Sequence, residues 1–282
     1  MRRRDENGSV AVLVLWGAAL IFILLAAANF TSRTEIAVAR NAIAAARARH
    51  AAEGGTQLGL ERLLARRAQG TMIFDGRKEP WQDTAAKLAI SIQDEAGKID
   101  INQAAQPFLA GLFTAVGRKP EEARLLSCRI LERRGSASPA CPAGPLGNST
   151  LFAAPEELAA LPGFGDRLYA AISDYVTVQT GASAIDPMVA SRTVLMAVPG
   201  ASKEIVDEFL ANRQMLRDLT EQASGFGTLP ASPYLMMSPA REFTVSAVAV
   251  TDGARYRADL QLRLTGMANR PYEVLAWRAP PP

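Results

Sequence analysis

Few residues in this 282-residue sequence are of the types that catalyse reactions or bind metal ions. It contains one histidine, His50, and two cysteines, Cys128 and Cys141. Cys/His metal centres need clustered ligands, and most acid–base catalysis needs a suitably placed base. Acidic pairs such as Asp94 and Glu95 are typical of surfaces and helix starts, and no phosphate-binding loop or dinucleotide motif is present. We therefore expect a protein that is not an enzyme.

The two cysteines are close enough in sequence to close a loop. Cys128 and Cys141 lie on either side of a segment rich in Gly, Ser and Pro. In an oxidising compartment they would form a disulfide, whereas in a reducing one they would remain two unpaired thiols. The pairing therefore depends on which side of a membrane this segment occupies.

Proteolytic processing is the second kind of chemistry that the sequence suggests. Gly8 directly precedes an uncharged run from Ser9 to Ser32, with Arg2–Arg4 before it and Arg33 as the first charge after it. Such a run is long enough to span a bilayer as a helix, with the arginines on the cytoplasmic side. Three interpretations compete: a secretory signal cleaved near Ala26–Ala28, an uncleaved signal anchor, and a short charged leader cleaved after Gly8.

A long helix is predicted to carry this amino-terminal segment. Residues 31–68 are rich in Ala, Arg, Leu and Glu and contain no proline, so the membrane helix can continue as a stem. One helix from Ser9 to about Gln69 would be roughly 90 Å long. Gly54, Gly55 and Gly59 are its predicted weak points. The arginines that precede His50 are most simply a solvated face, and we assign His50 no role.

A small antiparallel sheet is predicted on both sides of a central helical region. Its strands are indicated by alternating apolar residues. The segments are Leu88–Ile92, Lys98–Ile101, Phe243–Ala249, Tyr256–Leu264 after the Asp252-Gly253 turn, and Tyr272–Trp277. The alternation of apolar residues is clearest in Phe243–Ala249, before that turn, and in Tyr256–Leu264, after it.

The central region, residues 100–223, contains a degenerate repeat of helix, Pro/Gly turn and helix. Its second copy, Leu161–Gly165 followed by Asp166–Tyr175, resembles a helix-hairpin-helix, whose glycines let backbone N–H groups approach phosphate. A membrane-anchored DNA receptor is therefore an alternative function. Because the charges beside the turns are mixed and the net charge is only +3, we favour a structural, sterile-alpha-motif-like role and expect no nucleic acid partner.

The amino terminus resembles a known family. Arg2–Gly8 followed by Ser9–Leu13 looks like a type IV pilin-like leader, which prepilin peptidase cuts after the glycine, here between Gly8 and Ser9. Most pilins and pseudopilins carry glutamate at the fifth mature position, where this chain has Leu13. Among the pseudopilins of type II secretion, the K subunit usually lacks this glutamate. The sequence thus resembles the minor pseudopilin K family, general secretion pathway protein K.

The resemblance implies an α+β fold, in which a pseudopilin-like antiparallel sheet is interrupted by a large helical insertion. The expected organisation is a leader at 1–8, a transmembrane segment at 9–32, a periplasmic stem helix at 33–69, sheet at 70–99, inserted helical domain at 100–223, and the carboxy-terminal part of the sheet at 224–282.

The resemblance also implies location and partners. The chain would cross the bacterial inner membrane once, with its amino terminus in the cytoplasm and its folded part in the periplasm. It would be a substrate of prepilin peptidase and would join the I and J minor pseudopilins at the tip of a pseudopilus that drives protein export. Calcium binding is known in the family, but the segment from Arg133 to Thr150 contains no carboxylate. We therefore expect no metal or other cofactor there, which leaves Asp100, Glu156, Asp186 or other carboxylates as the ligands from which a calcium site could still be assembled.

Overall fold

A computed structural model describes residues 7–69, 73–81, 86–136, 141, 150–218, 229, 232–238 and 241–279, without the side chains of 7–10, 27–32 and 214–218. The fold is α+β, as predicted. The helices are α1 (Asn7–Ala68), α2 (Gln106–Ala115), α3 (Pro120–Arg133), α4 (Gly165–Ile172), α5 (Arg192–Met196) and α6 (Lys203–Asp218). The strands are β1 (Glu79–Trp81), β2 (Lys87–Asp94), β3 (Ile99–Asp100), β4 (Val176–Thr177), β5 (Glu242–Thr251), β6 (Ala254–Met267) and β7 (Arg270–Arg278).

Helix α1 is continuous over 62 residues, close to the predicted span from Ser9 to about Gln69. Its described apolar side chains near the amino end project away from the rest of the chain, and Leu13 is 72% exposed. Within the part of the chain that the structure describes, no helix has a stretch long and apolar enough to cross a membrane.

The main sheet contains five strands in the order β1-β2-β5-β6-β7, and all its neighbours are antiparallel. The last third of α1 packs on one face of this sheet, where Leu63 shares one apolar core with side chains of the central strands such as Ile90 and Val245. These side chains alternate along the strands because successive residues of a strand point to opposite faces. Burial of this face is what fixes the stem helix to the sheet.

Gly55 and Gly59, two of the three predicted weak points of α1, lie where the helix closely approaches the sheet. A Cβ atom at Gly59 would lie 2.3 Å from Val245 Cγ1, and one at Gly55 would lie 2.8 Å from Ala247 Cβ. Side chains at these positions would push the helix away, so their absence permits the packing. Gly54 has no neighbour within 4 Å of such an atom, and weakness of the helix at the three glycines stays a prediction.

A second core lies in the inserted helical unit, defined here as the elements from β3 to α6 together with residues 232–238. Its largest fully buried side chains include Phe108, Leu112 and Phe113 of α2. The prediction that residues 98–101 continue the main sheet is wrong. Ile99 and Asp100 pair in parallel with Val176 and Thr177, in a two-stranded sheet within the helical unit.

The two cores are separated by a polar layer. The face of the main sheet that points away from α1 carries Ser91, Gln93, Thr244, Ser246 and Gln261, all of which line a cleft of about 250 Å³ against the helical unit. A sheet whose one face is apolar and whose other face is polar packs only its apolar face into a dry core. On this face the helical unit is therefore attached to the sheet through hydrogen bonds and ion pairs, whereas Ile73, before β1, packs against the apolar core of the helical unit.

Candidate functional site

The predicted processing site lies in the first turns of α1. Gly8 and Ser9 have helical backbone there, and residues 1–6 of the predicted leader lie outside the described residues. The cut between Gly8 and Ser9 therefore stays a prediction. Leu13 lies one turn further along, and its isobutyl side chain provides no charge at the position where most pilins have a glutamate.

The structure joins Cys128 and Cys141 in a disulfide, with Sγ atoms 1.99 Å apart and Cα atoms 5.3 Å apart. Cys128 belongs to the third turn of α3, and Cys141 is buried in the core of the helical unit. The bond ties the described residue 141 to α3, while residues 137–140 and 142–149 lie outside the described part of the chain. It is a covalent support for the helical unit rather than a surface feature.

The turn that resembles a helix-hairpin-helix is in contact with an arginine of the same chain, Arg129. Gly163 has φ of 85°, a conformation that favours glycine. Arg129 of α3 donates a hydrogen bond from Nη1 to the Pro162 carbonyl oxygen, and this nitrogen lies 2.7 Å from where a Gly163 Cβ atom would be. The arginine beside the turn thus stabilises the hairpin internally.

Two of the three carboxylates considered as metal ligands act as internal caps. The Asp100 carboxylate accepts hydrogen bonds from the Asn102 and Gly181 N–H groups, at 2.9 and 2.8 Å. Asp186 accepts from the Met188 N–H group at 2.9 Å and from the Ser238 N–H group at 3.2 Å. Burial raises the pKa of both carboxyl groups, and these hydrogen bonds oppose the increase.

The third carboxylate, Glu156, faces the sheet and pairs with Arg278 of β7 at 3.3 Å. It is not brought together with Asp100 and Asp186 into one site. In the ranges that the structure describes, no three His, Cys, Asp or Glu side chains are arranged to hold a metal ion. The single histidine, His50, is exposed on α1, where Nδ1 lies 3.4 Å from Glu53 Oε2.

Among the described residues, two ion pairs join strands β6 and β7 to the helical unit across the cleft, and we call them the cross-cleft pairs. Arg213 of α6 also lies 3.7 Å from Asp75, in the segment before β1. Arg257 of β6 contacts Asp174 at 2.8 Å, and Arg278 of β7 contacts Glu156. Although burial opposes its charge, Asp259 at 2.9 Å and Asp174 together raise the pKa of the Arg257 guanidinium. Burial also raises the pKa of Tyr169, beside Glu156, to about 12. These contacts hold the outer end of the cleft.

The inner end of the cleft is held by a buried polar junction. Glu95 accepts hydrogen bonds on one carboxylate oxygen from Lys98 Nζ and Thr244 Oγ1. The backbone there is tied to the helical unit, since the Gln93 amide donates to the Val189 carbonyl oxygen at 3.0 Å. The junction and the cross-cleft pairs thus fix the helical unit at two ends of a cleft.

Sequence reasoning did not find either attachment. Arg257 and Asp174 are 83 positions apart, and Glu95 and Thr244 are 149 positions apart. A weak signal existed for β6, where Arg257, Asp259 and Gln261 alternate with apolar residues and so must share one face. That pattern shows a polar face, but it does not show which segment covers it.

Neither a family model nor a curated protein matches this chain. Among solved structures, the chain is similar to one from the crystal structure of the GspK-GspI-GspJ complex of the enterotoxigenic Escherichia coli type 2 secretion system. The similarity covers 73% of this chain and 84% of that chain, with 13% sequence identity and a TM-score of 0.44.

Proposed function

We propose that this chain is a minor pseudopilin of a type II secretion system, which is cleaved between Gly8 and Ser9 and then takes a place at the tip of a periplasmic pseudopilus. The observation that carries the proposal is the arrangement of α1. A charged leader ends in a glycine directly before an uncharged run, and the same helix continues without interruption until it packs on an antiparallel sheet. Such a helix serves both as a membrane anchor and as a stem.

The inner membrane is the proposed location. The uncharged run from Ser9 to Ser32 extends beyond the described side chains at both ends, and the large apolar side chains described within it, from Val12 to Leu25, are more than half exposed. Exposed apolar surface of this extent is unfavourable in water and favourable in lipid. Arg2–Arg4 place the leader in the cytoplasm, and a periplasmic location of the folded part agrees with the disulfide between Cys128 and Cys141.

The tip position is supported by Leu13. In the other subunits of such filaments, the glutamate at this position is thought to pair with the new amino terminus of a neighbour, and a buried charge of this kind needs a partner. Leu13 offers no charge, so this chain needs no neighbour above it. The I and J minor pseudopilins are the proposed partners, with the helical unit as the cap.

Processing is the direct test of the proposal. The full chain is expressed with and without prepilin peptidase, and its intact mass and amino-terminal sequence are determined. We expect a new terminus at Ser9 only with the peptidase, and loss of cleavage in Gly8→Ala. Gly17→Ala is the matched control, since a Cβ atom there has no neighbour within 4 Å, and it should be cleaved normally. A terminus at Asn29, or an uncleaved chain, would contradict the proposal.

A further inference from the structure

One face of the stem helix has a regular pattern of which the fold of the chain uses only the last residue, Arg47. Arg33, Ile36, Arg40, Ile43 and Arg47 follow one another at alternating steps of three and four residues within α1. This spacing brings side chains onto a single stripe of a helix, as in the core positions of a coiled coil. We call these five residues the arginine–isoleucine stripe.

The stripe is exposed over its whole length. Ile36 and Ile43 are each 52% exposed, and all three arginines are exposed. The side of α1 that turns toward the sheet is a different one, since Ala44, Ala48 and Ala52 are buried there. Packing on the sheet therefore leaves the stripe uncovered.

The charge on the stripe is of one sign. Arg47 lies 3.4 Å from Asp252 in the turn between β5 and β6, but neither Arg33 nor Arg40 has an ion pair with the side chains that the structure describes. The nearest acidic residue in sequence, Glu35, is two positions from Arg33 and so points to another side of the helix. A partner that covers the stripe must therefore supply carboxylates opposite Arg33 and Arg40.

We propose that the arginine–isoleucine stripe binds a helix of another protein chain, whose own exposed face alternates acidic and aliphatic residues at the same spacing. The isoleucines would pack between aliphatic side chains of that helix, and the guanidinium groups would pair with its carboxylates. The inference deepens the proposed function and rests on it, because a subunit of a filament tip has neighbouring stem helices.

A second copy of this chain is a poor partner for the stripe. Stem helices that leave one membrane run parallel, and two parallel stripes in register would place arginines against arginines, where like charges are destabilising. A lipid surface also fits poorly. The stripe covers 14 residue steps, roughly 21 Å along the helix, whereas the headgroup layer on each side of a bilayer is only about 6 Å thick. Only Arg33, directly after the uncharged run, would lie within such a layer.

The test uses the full chain in nanodiscs of zwitterionic lipid and a fluorescent helical peptide of about three heptads. In the matched peptide, Glu and Ile alternate on one face, and in a control peptide of the same composition the Glu residues lie on the opposite face. Anisotropy measures binding. We expect the matched peptide to bind at least about tenfold more tightly than the control peptide, with an advantage that decreases as salt increases.

Charge reversal then tests whether Arg33 and Arg40 are the residues that bind the carboxylates of the peptide. In the double variant Arg33→Glu/Arg40→Glu, binding of the matched peptide should weaken by about tenfold or more, and a peptide with Lys in place of Glu should restore it. Arg49→Glu is the matched control, because Arg49 is an exposed arginine of the same helix outside the stripe, and it should change binding by less than about twofold.

Three outcomes would overturn the inference. The first is equal binding of the matched and control peptides, and the second is an equal effect of reversing Arg49 and of reversing the two stripe arginines. The third is binding of the chain to vesicles of anionic lipid through the stripe arginines in the absence of any peptide, which would assign the stripe to lipid. Failure of the inference is separate from failure of the proposed function. A chain cleaved after Gly8 that binds neither peptide contradicts only the inference, whereas a chain that binds the matched peptide but is never cleaved contradicts the proposed function.

Discussion

Several carboxylates lie close together at the junction between the two cores, and Asp94 is the one whose pKa is most clearly changed there. Asp94 is buried at the end of β2, where it accepts a hydrogen bond from the Ala96 N–H group at 2.9 Å. Burial raises the pKa of this carboxyl group to about 7, that hydrogen bond opposes the increase, and the nearby Asp186, Glu95 and Glu242 add to it. A group of this kind makes folding stability depend on pH.

We predict that the protein loses stability as the pH rises from about 4 to about 7, in part through Asp94. Its pKa in the folded state exceeds the ordinary value of 3.8, so the folded state binds the proton more tightly than the unfolded state. The stabilisation is complete at low pH and is lost as Asp94 ionises. Asp94→Asn keeps an acceptor for the Ala96 N–H group and cannot ionise. The free energy of unfolding of the variant minus that of the wild type should therefore be about 2–4 kcal/mol larger at pH 8 than at pH 4.

Urea unfolding at several pH values measures this difference. The exposed residue Glu208 provides a control, since Glu208→Gln lies outside the junction and should leave the pH profile of the wild type unchanged. Parallel pH profiles for the wild type and Asp94→Asn would contradict the prediction.

Two glycines of α1 should respond in opposite ways to the same substitution. Gly59→Ala places a Cβ atom 2.3 Å from Val245 Cγ1, so the helix or the strand must move, and we expect a loss of about 1–3 kcal/mol in the free energy of unfolding. Gly54→Ala meets no atom within 4 Å and should gain about 0.5–1 kcal/mol from its higher helix propensity. Chemical denaturation of both variants checks the signs, and two changes of equal sign would show that packing does not distinguish these positions.

At the scale of elements, local patterns in the sequence predicted the long helix and the main strands well. Alternation of apolar residues is strong in β2, β5 and β6, since one face of each is buried. It failed for β3, because a two-residue strand shows no period and its partner, Val176–Thr177, lies far away in sequence. The three-residue edge strand β1 was missed for the same reason, and the contacts across the cleft depend on tertiary packing that no local pattern encodes.

The disulfide should stabilise the helical unit by limiting its unfolded state. Cys128 and Cys141 are 13 positions apart, and closing a loop of this size contributes about 2–3 kcal/mol. We expect a reducing agent to lower the melting temperature of the wild type and to leave that of Cys128→Ala/Cys141→Ala unchanged. Melting followed by circular dichroism, with and without reductant, measures this, and an equal decrease in both proteins would show that the reductant acts elsewhere.

In the part of the molecule that the structure describes, two apolar cores are joined mainly by polar contacts. One core lies between α1 and the main sheet, and the other lies inside the helical unit. Hydrophobic burial stabilises each core separately, whereas hydrogen bonds and ion pairs set how the two are positioned. The position of the helical unit on the stem therefore depends on polar side chains such as Arg257, which contacts two carboxylates, Asp174 and Asp259.

The two partners in the Arg257–Asp174 pair should contribute unequally to stability. The Asp174 side chain is 60% exposed, so Asp174→Asn removes a solvated ion pair and should cost less than about 1 kcal/mol. Arg257→Gln also leaves Asp259, which is only 10% exposed, without its cationic partner, and should cost about 1–3 kcal/mol.

Urea unfolding of the two variants measures this asymmetry, with Asp207→Asn as the matched control. Asp207 pairs with Arg192 inside the helical unit, and both side chains are nearly half exposed, so the loss of stability in Asp207→Asn should resemble that in Asp174→Asn.

Hydrogen exchange adds a second measure, because Arg257→Gln should increase exchange in the segment around Asp174 while the amides of α1 that face the sheet stay protected. Equal losses in Arg257→Gln and Asp174→Asn would show that Asp259 does not depend on the arginine, and would contradict the prediction.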